Sequence, residues 1–168
     1  TNLFDAKQLY RSWTGGGHKI HATDNVEETK FQTMLLFGKS YNYYRDLDNK
    51  QIDINWNEEL IGANGWESLE SVFKALNETF EYVILRNFES IEYELNNEHP
   101  DIDLLVEDLV GVRDLLNAKK TSNKKNRVQY QVLIANKLIN FDFRYVGDNY
   151  YALEWQKEIL LNRVYKEY

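Results

Sequence analysis

Apolar and polar positions along this chain follow two rhythms, and the changes from one to the other mark out its elements. Over Thr1–Trp13 the apolar residues Leu3, Phe4, Leu9, Tyr10 and Trp13 predict a short amphipathic helix. The Gly15–Gly17 run ends it, because successive glycines lose too much backbone entropy inside a regular element. It lacks the Lys-Ser/Thr ending of a P-loop and reads as a turn. His18–His21 reads as a short strand. Asp24 or Asn25 is the expected N-cap of a helix over Val26–Phe37, with Glu27 or Glu28 closing a capping box and Gly38 as the stop. Lys39–Ile61 is polar and aromatic-rich, a linker with one short strand near Gln51–Ile54. Gly62 and Gly65 mark a boundary.

The second part of the chain is more strongly patterned. Asn64 and Glu67 form a capping box for a helix over Trp66–Glu78, whose Trp66, Leu69, Phe73 and Leu76 fall on one stripe. Phe80–Leu85 is nearly continuous in apolar character and predicts a central strand covered on both faces. Asp101–Val106 is the next strand, followed by a helix from Leu109 to Lys119 with Leu109, Val112, Leu115 and Leu116 inward. Lys119–Arg127 carries basic residues without an acid and reads as a solvated loop, or else as a flap that meets substrate phosphates. Val128–Ile134 and Leu138–Val146 form a hairpin joined at Ala135–Asn136–Lys137. In the second of these strands Phe141, Phe143 and Tyr145 alternate with Asn140, Asp142 and Arg144, so one face is apolar and the other carries Asp142. Gly147–Asn149 turns the chain into a last helix headed by Ala152, Trp155, Ile159 and Leu160.

Composition narrows the function classes. A chain of 168 residues suits one domain or one domain with an appendage, and we expect an N-terminal segment over 1–61 and a main domain over 62–168. The net charge of −7 argues against a protein whose affinity comes from neutralising nucleic-acid phosphates. With no cysteine there is neither a disulfide frame nor thiolate chemistry. No apolar run is long enough to span a bilayer and no signal-peptide pattern opens the chain, so a soluble, cytoplasmic protein is expected. The chain does not start with Met, and its last stretch, LLNRVYKEY, still reads as helix, which suggests a piece of something longer.

Candidate chemistry concentrates on Asp101 and Asp103. Side chains alternate along a strand, so these two carboxylates point to one side of the sheet and Ile102 to the other. Adjacent carboxylates repel and resist burial, and a divalent cation relieves both costs; hard oxygen ligands suit magnesium or manganese. Other candidate sites are weaker. His18 and His21 fall on opposite faces of a strand and have no third ligand nearby. Asp46 and Asp48 have calcium-loop spacing, but Lys50 stands at a ligand position and neither the turn glycine nor the terminal Glu is present.

Two resemblances follow from these motifs. His18–Glu27, HKIHATDNVE, resembles the active-site signature of nucleoside diphosphate kinases. The resemblance implies that His21 matches the phosphorylated histidine and that Ala22, Thr23 and Asp24 match the residues after it. His18 stands where that family has Asn. The family's nucleotide-binding sheet and arginines precede the motif, and here almost nothing precedes it, so His21 alone lacks the groups that position a nucleotide.

The second resemblance covers roughly Gly65–Leu161. Helix, buried strand, polar stretch, DxD strand, helix and a later strand carrying a third aspartate: this order is similar to the nucleotidyltransferase fold, an α/β mixed sheet flanked by helices. YVILRNFE, DIDLLVED and NFDFRYVGD look like a bacterial branch associated with surface-polysaccharide gene clusters. The resemblance implies that Asp101, Asp103 and Asp142 bind magnesium ions that hold the phosphates of a nucleoside triphosphate. It further implies transfer of a nucleotidyl or phosphoryl group to a small molecule or glycan precursor. Arg86, Asn87 and Arg144, with Lys137 as a further candidate, are the residues nearest in sequence to meet phosphate. Where the superfamily has Gly-Ser after its first strand, this chain has Arg86-Asn87, and Phe88–Pro100 is long and acidic. A catalytically degenerate binding domain is therefore the alternative, with histidine phosphotransfer through His21 as a third.

Overall fold

The computed structural model describes residues 3–47, 59–89, 91, 100–122 and 128–165. Its elements, in chain order, are α1 (Leu3–Trp13), α2 (Val26–Phe37), α3 (Tyr41–Arg45), α4 (Leu69–Thr79), β1 (Tyr82–Ile84), β2 (Asp101–Val106), α5 (Leu109–Leu115), β3 (Lys119–Lys120), β4 (Gln129–Ile134), β5 (Lys137–Tyr145) and α6 (Leu153–Leu161). The strands make one mixed, open five-stranded sheet in the order β1-β2-β5-β4-β3. β2 and β5 run parallel at its centre, and the other three pairs are antiparallel.

The expected hairpin forms. Its loop is the two residues Ala135 and Asn136, at φ 48° and 63°, and Lys137 already pairs with Ile134. Alternation along β5 puts Ile139, Phe141 and Phe143 into the core and leaves Asn140, Asp142 and Arg144 half-buried on the other side. β2 alternates in step, with Ile102, Leu104 and Val106 buried on the core face. α4 covers that face with Leu69, Val72, Phe73 and Leu76, α5 with Val112 and Leu115, and α2 adds Met34 to the same core. Each such apolar side chain, fully buried, contributes about 1.5–3 kcal/mol.

The second face is covered only in part. Leu105, which points away from Leu104, is fully buried, and α6 packs against β1 and β2 with Leu160 directed inward. Cover over that face thus lies at the Leu105 end of β2, and Asp101 and Asp103, at its other end, are only half-buried. This asymmetry places the candidate site.

Several expectations are corrected. β1 is an edge strand, not a central one. Continuous apolar character reports helices on both faces, which β1 has through α4 and α6, and says nothing about whether both edges are paired. Trp66 does not begin a helix; it makes a parallel bridge to Ile134, with Trp66 N donating to Leu133 O and Ala135 N donating to Trp66 O, both at 2.8 Å. Its indole lies so close to Gly62 (φ 70°) that a Cβ there would sit 2.7 Å from Nε1. Helix α4 starts later because Ser68 caps it in a reciprocal box with Ser71.

α5 ends at Leu115, and the basic run opens as edge strand β3 rather than as loop; residues 123–127 lie outside the described residues. His18–His21 is not a strand, whereas α2 is capped by Asn25 with Glu28, as expected. The predicted linker contains α3, capped by Ser40, while the strand expected near Gln51–Ile54 falls outside the described residues. On α6 the inward residues are Gln156 and Leu160, and Trp155 is exposed.

Candidate metal centre

Three aspartates from two neighbouring strands converge on the open part of the second sheet face. The parallel register of β2 and β5 sets Asp103 beside Asp142 and Asp101 beside Asn140. Because Asp101 and Asp103 are two residues apart, both share the face of Asp142. One carboxylate oxygen from each lies within 4.8 Å of the others, and all three residues are half-buried. Oxygens about 2.1 Å from a shared octahedral ion lie at most about 4.2 Å apart, so small side-chain rotations suffice to close the set on magnesium or manganese. Asp142 Oδ1 is buried and has no hydrogen-bond partner among the described residues. A buried acceptor left this way is costly unless a ligand completes it. The donor set and this orphaned oxygen fit a hard divalent cation.

Arg86 stands over the cluster. It follows the edge strand directly: Leu85 N donates to Asp103 O at 2.9 Å, and Asn87, exposed and at φ 57°, turns the chain away. The guanidinium binds Asp103 on both oxygens, with Nε 2.9 Å from Oδ2 and Nη2 2.7 Å from Oδ1 and from Oδ2. These hydrogen bonds first, and the charge of Asp103 second, hold the arginine above its ordinary pKa, with Asp101 and Tyr150 adding to the effect.

Arg144 shares the Asp142 face one side-chain step further along β5. It is engaged elsewhere: its guanidinium carbon lies 3.7 Å from the centre of the Tyr150 ring, and Nη1 is 3.9 Å from Asp148 Oδ2. Lys137 sits at the hairpin turn, five residues from Asp142 along β5, which is roughly 17 Å in a strand. Sequence proximity misplaced it.

His21 belongs to another part of the molecule. Its Nε2 lies 3.1 Å from Gln32 Nε2 and 3.6 Å from Glu28 Oε1 on α2, and its side chain is largely exposed. At the start of that helix the Asn25 side chain accepts from Glu28 N and the Glu28 side chain accepts from Asp24 N.

Residues that the sequence did not single out complete the surroundings. Gln131, paired with Asn140 in register, donates from Nε2 to Asn140 Oδ1 at 3.1 Å, extending the polar face beyond Asp101. Gln156 is fully buried and ties the turn after β5 to α6: Oε1 accepts from Gly147 N at 2.8 Å, and Nε2 donates to Tyr145 O at 3.2 Å and Asp148 Oδ1 at 2.7 Å. The strand alternation was the signal available for Gln131. A polar residue among the apolar positions of the last helix was the signal for Gln156. No protein-family model matches the chain, and no solved structure matches it.

Proposed function

We propose that the chain is a metal-dependent nucleotidyltransferase-like protein, transferring a nucleotidyl or phosphoryl group from a nucleoside triphosphate to a small molecule or glycan precursor. The observation that carries this reading is the convergence of Asp101, Asp103 and Asp142 with a buried Asp142 oxygen lacking a hydrogen bond. The three aspartates would hold magnesium or manganese. Bound there, the ion supplies charge neutralisation for phosphate oxygens and orients them for displacement. The protein's own part is to keep the carboxylates preorganised on two hydrogen-bonded strands, and to leave that end of the sheet face open to an acceptor.

One observation favours a second reading. Arg86 already neutralises Asp103, and it stands where the resembled superfamily has Gly-Ser. A domain in which the guanidinium permanently replaces the ion would bind a ligand without turnover.

Titration calorimetry with manganese alone, then with manganese and each nucleoside triphosphate, separates the two. The first reading expects manganese binding, and nucleotide binding that depends on it, both abolished in Asp101→Asn and in Asp103→Asn. Nucleotide binding without metal supports the second reading, and a wild-type chain that binds neither removes both.

A further inference from the structure

The contact between Arg86 and Asp103 combines a fixed anchor with a free arm. The anchor is the backbone: Leu85 is hydrogen-bonded to β2 and the positive φ of Asn87 sets the turn that follows. The arm is a long side chain, 66% exposed, reaching a carboxylate that is only 15% exposed. Rotation about side-chain bonds alone can therefore release the guanidinium.

Geometry makes arginine and metal competitors. The guanidinium places three hydrogen bonds on an Asp103 carboxylate that offers about four lone-pair sites, so a metal ligated by Asp103 competes with it for most of them. Charge points the same way. Three carboxylates and one guanidinium sum to −3 + 1 = −2, whereas a divalent ion in place of the guanidinium leaves −3 + 2 = −1, so the ion offsets more of the carboxylate charge than the arginine does. A displaced guanidinium at the mouth of a phosphate site has a second matching partner, since its fork fits phosphate oxygens as well as carboxylate oxygens.

Resting on the function proposed above, we propose that Arg86 is an exchangeable counter-ion. It neutralises Asp103 in the metal-free protein, gives it up when a divalent cation enters, and then binds a phosphate oxygen of the nucleotide. Arg86 is thus a substrate-binding residue whose position reports metal occupancy.

The test uses the whole chain labelled with nitrogen-15. The Arg86 Nε–H resonance, assigned by its loss in Arg86→Gln, is expected to exchange slowly with water without metal and fast once magnesium is added. Adding a non-hydrolysable nucleoside triphosphate with magnesium is expected to slow it again at a new chemical shift.

Calorimetry provides the second arm. Arg86→Gln is expected to bind manganese more tightly by about ten- to a hundredfold, the worth of one charge-assisted contact, and to bind the metal–triphosphate complex more weakly by a similar factor. Arg86→Lys keeps the charge and loses the fork, so its manganese affinity is expected to follow that of Arg86→Gln. Wild-type-like affinity in Arg86→Lys would mean that distant charge alone is at work, and the exchange would be overturned. An Nε–H signal unmoved by magnesium, in a protein whose metal binding is abolished by Asp142→Asn, overturns the exchange and leaves the metal centre standing. Absence of any Asp142-dependent metal binding overturns the centre itself, and the exchange with it.

Discussion

Gln156 is the one fully buried polar side chain among the described residues, and its amide is satisfied at both ends. Its partners lie in the turn that carries Asp148 and Tyr150, the two residues that engage Arg144. Replacing it by leucine keeps the bulk and leaves Gly147 N without its acceptor, while Tyr145 O keeps the N–H of Asp148 and Asp148 Oδ1 keeps that of Tyr150. We expect Gln156→Leu to cost about 1–3 kcal/mol in urea unfolding, the usual penalty for buried polar groups left without a partner. An unchanged midpoint would show that water replaces the amide and that the turn is held by something else. The aspartates themselves were legible at this scale, because the parity of a strand fixes which side chains share a face. Arg86 on Asp103 was not, since no local pattern tells where a long exposed side chain will point.

Among the elements, legibility followed how local the determining contact is. The caps of α2 and the hairpin rest on neighbours in sequence, and both formed where the residues predicted. The start of α4 was missed because Trp66 has a better use: its backbone bridges Ile134 and its indole donates to Leu116 O at 3.3 Å, contacts from far along the chain. β3 was missed for a similar reason, since two exposed lysines carry no strand signal until β4 offers them an edge. A close approach between elements also sets the next expectation. In α5 a Cβ on Gly111 would lie 2.5 Å from the Phe80 ring, which is itself packed 5.5 Å from Phe31 on α2. Helix propensity alone favours Gly111→Ala by about 1 kcal/mol, whereas overpacking costs about 1–3 kcal/mol. Because the approach to Phe80 is well inside van der Waals contact and Asp108 Oδ2 would lie 2.6 Å away as well, we expect the steric cost to win and the variant to be destabilised in urea. A stabilised variant would show that the Phe80 ring can move aside freely.

For the molecule as a whole, the metal centre is a place where stability and chemistry oppose each other. Carboxylate charges 4.8 Å apart repel by roughly 3.5 kcal/mol per pair at an effective dielectric near 20, and Arg86 offsets part of this at Asp103. Asp142 gains least from that arginine, which is bonded to Asp103 and held also by the charge of Asp101. Asp142→Asn removes one charge from the cluster without changing the shape of the side chain. In the presence of a chelator we therefore expect it to melt above the wild type. With manganese the order should reverse. An ion at a hundred times its Kd stabilises a protein that binds it only when folded by about 2.7 kcal/mol, and it does so here by joining β2 to β5, the two central strands. The variant lacks a ligand and should gain little. Crossing of the two melting series as manganese replaces chelator is thus the expected outcome. If Asp142→Asn melts lower under both conditions, the clustered carboxylates are part of what holds the sheet together and are not strained in wait for a cation.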